Sequence, residues 1–132
     1  MSEKSKTILD KIRKENIETI EGGFRSFKIE IKRVLKEEGH PCFGVTDFDK
    51  GVISLDKDMN SQNARETLLH EMTHVALELC GLGGDETTDI VRERTNEELT
   101  TLVSRGYLLL MNLNPRLFEL IINEKSTINM AQ

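Results

Sequence analysis

Ile8, Leu9, Ile12, Ile17 and Ile20 recur at roughly helical spacing among charged residues. That predicts an amphipathic helix over residues 5–21, closed by Gly22-Gly23. The period then changes. Phe27, Ile29 and Ile31 alternate with Lys28, Glu30 and Lys32, as a strand with one buried face requires. The alternation decays into a charged loop or turn over residues 35–39. Phe43, Val45 and Phe48 on one arm, and Val52, Ile53 and Leu55 on the other, flank Asp49-Lys50-Gly51. This reads as a hairpin whose glycine takes the positive φ of the turn.

After a polar connection, Asn60 or Ser61 caps a helix that runs to about Cys80. Leu68, Leu69, Met72, Val75, Ala76 and Leu79 form a stripe wide enough that the helix should be largely buried. Gly81, Gly83 and Gly84 end it. A further helix is expected to start at Thr87 or Thr88. Another runs from Asn96 to Met111, with Leu99, Leu102, Val103, Gly106, Leu109 and Leu110 on one side. Asn114-Pro115 breaks it, and Pro115 suits the first position of a short last helix through Leu117, Leu120 and Ile121. Residues from about Lys125 onward should fray. The organisation expected is one domain: an N-terminal helix over 1–23, the body over 24–124 and a tail over 125–132.

Composition narrows the class. A chain of 132 residues, 37% hydrophobic and 31% charged, is long enough for one core. Aromatic residues make up 5%, with no Trp, so Leu, Ile and Val must build that core. A net charge of −5 argues against a nucleic-acid partner, whose binder would show a basic footprint. No stretch has the length or apolarity of a membrane span or of a signal-peptide core. The expected compartment is the cytoplasm, where Cys42 and Cys80 would stay reduced and pack as small hydrophobes.

The chemistry-bearing segment is His70-Glu71-Met72-Thr73-His74. On a helix, positions i and i+4 differ by about 400°, so both imidazoles leave the same face, about 40° apart on adjacent turns. Imidazole nitrogen suits zinc. Glu71 projects beside that face, where its carboxylate reaches a metal-bound water rather than the metal. A histidine pair on a buried helix can also serve the core by bonding to backbone. Against this, the chain has three His, and two fall at this spacing around a Glu inside a strongly patterned helix.

A catalytic zinc needs a third protein ligand. Asp85, Glu86, Asp89, Glu93, Glu97 and Glu98 lie downstream, and His40 upstream. If Leu99, Leu102, Gly106, Leu109 and Leu113 mark the inward side of their helix, Glu98 lies at its edge and Glu97 points away. Glu98 is therefore the expected ligand and Glu97 the alternative. His40 reads as a loop residue, and Tyr107 as a packed or surface residue that could also donate to a transition state.

With strand, hairpin, His-Glu helix and Glu-bearing helix in this order, the chain resembles the small zincin-type metallopeptidase domains of bacteria and phages, close to the ImmA/IrrE group. The segments that carry the resemblance are Gly44-Val45-Thr46-Asp47, Val52-Ile53-Ser54-Leu55-Asp56, the stretch from Arg65 to His74, and Asn96-Glu97-Glu98-Leu99. It implies an α+β fold of minimal gluzincin type: a small antiparallel sheet packed on the active-site helix, with further C-terminal helices. It implies one Zn2+ held by His70, His74 and Glu98, with Glu71 as base. It also implies an edge strand that binds an extended peptide, and a protein substrate such as a repressor or another regulatory protein. The expected function is thus a zinc endopeptidase. The alternatives are a catalytically silent zinc-binding interaction module and a helical domain without metal.

Overall fold

The computed structural model describes residues 7–33, 43–82 and 94–123. Helix α1 (Ile8–Lys14) leads into strands β1 (Thr19–Glu21), β2 (Ser26–Lys32), β3 (Gly44–Asp47) and β4 (Val52–Asp56). Helix α2 (Ser61–Leu79) follows, then α3 (Asn96–Leu113) and α4 (Pro115–Asn123). The fold is α+β. Its sheet has the order β1-β2-β4-β3. Helix α2 packs across β3 and β4, α3 lies along α2, and α1 fits between α2 and α4.

The predicted N-terminal helix divides in two. A reciprocal capping box between Thr7 and Asp10 starts α1, and Asn16, at φ 57°, ends it. Asn tolerates this left-handed conformation better than most residues. The chain beyond Asn16 is extended, and Ile20 pairs with Phe27 across the β1–β2 hairpin. Ile17 and Ile20 fit a helical phase on paper. Thr19-Ile20-Glu21 also alternates, and a strand buries Ile20 completely. Gly22-Gly23 thus forms the turn between two strands rather than a helix end, with Gly23 at φ 86°. Residues 1–23 were expected as an N-terminal helix of the one domain. Their described part is a helix and a strand, and it enters the common core through Ile8, Leu9, Ile12 and Ile20.

The sheet is mixed rather than wholly antiparallel. The β3–β4 hairpin forms as expected, with Gly51 at φ 69° in its turn. It is β4, however, that lies beside β2, and the two run parallel, Ile29 opposite Ile53 and Ile31 opposite Leu55. Ile53 and Leu55 are fully buried, which suits the interior of the sheet. The less apolar β3 is left at the edge. Asn60 caps α2 by accepting from the Asn63 N–H at 2.8 Å. Ala64, Leu68, Met72, Val75 and Ala76 of α2 enter the core, whereas Leu69 is partly exposed. No described helix is long and apolar enough to cross a membrane. The expected loop at 35–39, the helix start at Thr87 or Thr88, and the tail from Lys125 lie outside the described residues.

Candidate metal centre

The buried stripe of α2 contains one charged residue, Glu71, which is 4% exposed. A carboxylate in that position must be hydrogen-bonded to offset its lost hydration. Thr46 supplies the bond: its hydroxyl donates to Glu71 Oε1 at 2.6 Å. The pairing follows from strand geometry. Thr46 and Gly44 stand opposite Ile53 and Leu55 and so share their face, the one turned toward α2.

Gly44 gives the carboxylate room. A Cβ at this position would lie 3.0 Å from Glu71 Cγ and Oε2, and 2.8 Å from Thr67 Cγ2. The apolar residues of this arm, Phe43 and Val45, do not mark its inward face. Phe43 is 44% exposed, and the face toward α2 is formed by a glycine and a threonine. Hydrophobic patterning therefore passed over both residues. The available signal was their register opposite the strongly apolar Ile53 and Leu55.

His70 and His74 lie on the exposed side of α2, their rings 5.1 Å apart and nearly perpendicular. One ligand atom from each of His70, Glu71 and His74 lies within 4.8 Å of the others. Two imidazoles beside a carboxylate form a donor set that suits zinc. Among the described residues, this is the one group of three or more His, Cys, Asp or Glu side chains close enough to hold an ion.

Glu98 does not join that group. Its Oε1 accepts from the Thr95 N–H at 2.8 Å, while Thr95 Oγ1 accepts from the Glu98 N–H at 3.1 Å. The pair forms a capping box at the start of α3, and Glu98 is exposed. The helix is also turned differently from the expected phase. Gly106 and Leu110 are its buried residues, whereas Leu109 and Leu113 are substantially exposed. Glu98 lies about 80° from the Gly106 direction, off the packed face. Glu97 is exposed on the same first turn. His40, Asp85, Glu86, Asp89 and Glu93, the other ligand candidates, lie outside the described residues.

On the far side of the histidines, α3 approaches α2 closely. A Cβ on Gly106 would come within 2.5 Å of the Ala76 carbonyl oxygen, so glycine permits the contact. The next residue, Tyr107, bonds its hydroxyl to that of Thr73, between the two histidines in sequence. Thr73 already donates to the Leu69 carbonyl at 2.8 Å, so Tyr107 is the donor in this bond. Tyr107 is thus a half-buried packing residue that ties α3 to the turn of α2 carrying the two histidines. Nearby, Cys80 is a free thiol whose burial raises its pKa against the lowering effect of backbone hydrogen bonds. Cys42 lies outside the described residues.

No family model matches the chain, and none of the curated proteins or solved structures compared with it is significantly similar.

Proposed function

We propose that this chain is a zinc-dependent peptidase that hydrolyses a peptide bond in a protein substrate, with Glu71 as the catalytic base. The observation that carries the reading is the arrangement of α2: two exposed imidazoles one turn apart, with a buried, oriented carboxylate beside them. His70 and His74 would hold the ion. Zinc bound there would supply a Lewis acid able to polarise a carbonyl and to bring the pKa of a coordinated water to roughly 7.

The remaining steps belong to the protein. Glu71 takes a proton from the attacking water and passes it to the leaving amine. Thr46 restrains the carboxylate through a hydrogen bond to Oε1. Among the described strands β3 lies at the edge of the sheet and beside the base, the place where an extended substrate peptide would run. The substrate class we favour is a regulatory protein with an accessible extended segment. The compartment we favour is the cytoplasm, which suits the free thiol of Cys80.

The test is substrate trapping with Glu71→Gln. Partners captured by this variant are incubated with the wild-type protein and zinc. Cleavage by the wild type, with none by a Glu71→Gln protein that retains its zinc, is the expected result. Equal cleavage by both would exclude Glu71 as base. Stoichiometric binding of a partner that the wild type never cleaves would instead mark a zinc-binding interaction module.

A further inference from the structure

We infer that Thr46, with the side-chain-free Gly44 beside it, determines whether Glu71 serves as a base or as a metal ligand, and holds it as a base. The inference rests on the zinc reading above and asks what keeps a nearby carboxylate off the ion. Distance does not. A Glu71 oxygen lies within 4.8 Å of a ligand atom on each histidine. Two donors on one zinc, each about 2.0–2.2 Å from it, are separated by at most about 4.4 Å. A small rotation of the side chain would therefore bring Glu71 into the coordination sphere as a third ligand.

Two features of β3 oppose that rotation. Thr46 engages Oε1 in a short, charge-assisted hydrogen bond of 2.6 Å. Its β-branched side chain has few rotamers, so the hydroxyl is held in place. Gly44 leaves the space that Oε2 and Cγ of Glu71 occupy, 3.0 Å from where a Cβ would stand. Thr46 thus holds Oε1 at the strand, and Gly44 leaves room for the rest of the carboxylate beside it. Thr46 is a positioning residue in this account, acting through Glu71.

Zinc affinity, read by competition with a chromophoric chelator, tests the inference without a substrate. The proteins compared are the wild type, Glu71→Gln, Thr46→Val, Thr46→Ala, Thr46→Ser and the double variant T46V/E71Q. Wild type and Glu71→Gln should bind zinc equally, because Glu71 is not a ligand while Thr46 holds it. Thr46→Val and Thr46→Ala should bind about tenfold more tightly, within the range over which residues surrounding a metal site tune affinity. T46V/E71Q should fall back to the Glu71→Gln value, and Thr46→Ser should match the wild type.

Equal affinity in Thr46→Val, Thr46→Ala and T46V/E71Q would overturn the inference. So would a loss of affinity on Glu71→Gln in the wild-type background, which would make Glu71 a ligand already. Absence of zinc binding by the wild type would overturn both the inference and the functional reading. The expected affinity pattern in a protein that cleaves nothing would leave the inference standing and remove the peptidase.

Discussion

The hydroxyl of Thr46 donates to Glu71 Oε1 across 2.6 Å and joins the edge strand β3 to the middle of α2. Gly44, two residues earlier on the same face, makes room for the rest of that side chain. Gly44→Ala should therefore disturb the site and the fold together. The added methyl meets Thr67 and Glu71 at 2.8–3.0 Å, and overpacking of this kind costs about 1–3 kcal/mol. Urea unfolding checks the cost. An unchanged midpoint would show that the strand yields at no expense.

Glu98 closes the capping box of α3, so Glu98→Ala should weaken the protein by less than the about 0.5–2 kcal/mol that loss of an N-cap costs, and leave zinc affinity unchanged. Thr95→Ala, which removes the N-cap itself, should cost that full range and likewise leave zinc affinity unchanged. A Glu98→Ala protein that lost its zinc while Thr95→Ala kept it would restore Glu98 as a ligand.

The place of Glu98 marks how far the sequence could be read. The His-Glu-His spacing needs only helical geometry, and α2 begins and ends where its cap and glycine signals place it. Glu98, expected as the third ligand, instead stands in a capping box away from the histidines, and the phase argument that chose it was loose because the apolar residues of α3 exceed what one face can bury. Leu109 and Leu113 entered the count but are exposed, and the packed direction is set by Gly106 and Leu110. The Thr95-to-Glu98 spacing was itself a legible capping signature. Other features depended on tertiary contacts. The parallel pairing of β2 with β4 leaves no local mark, and Thr46 is polar, so no hydrophobic pattern points to its inward face.

Asn114 ties the junction of α3 and α4 to β1. Its Oδ1 accepts from the Glu21 N–H at 2.7 Å, and its Nδ2 donates to the Glu21 carbonyl at 2.9 Å and the Leu110 carbonyl at 3.0 Å. The amide thus serves the outer edge of β1 as a neighbouring strand would. Asn114→Ala should cost about 1–3 kcal/mol, the penalty for leaving buried polar groups unpaired. Asn114→Asp should cost more at neutral pH, because a carboxylate would face two carbonyl oxygens. Denaturant unfolding checks both, and an Asp variant as stable as the wild type would contradict this account.

Glu21 gives a pH dependence of definite sign. Hydrogen bonds from Ser26 and then Thr19 hold its carboxyl below the ordinary value of 4.5, outweighing a small opposing effect of burial. A folded-state pKa below the unfolded one contributes stability that is complete above the unfolded value and fades as pH falls through the folded one. The stability difference between wild type and Glu21→Gln should therefore be constant above about pH 5.5 and shrink on further acidification. Urea midpoints at a series of pH values measure it. A difference that grows toward low pH would reverse the sign.

The central claim is that His70 and His74 hold one zinc while Glu71 stays free to act on water. Metal analysis of protein purified without chelator, after dialysis against limiting zinc, tests it most directly. The wild type and Glu71→Gln should each retain one zinc per chain, and His70→Ala and His74→Ala should retain essentially none. A metal-free wild type, or zinc retained undiminished after both histidines are replaced, would contradict the account.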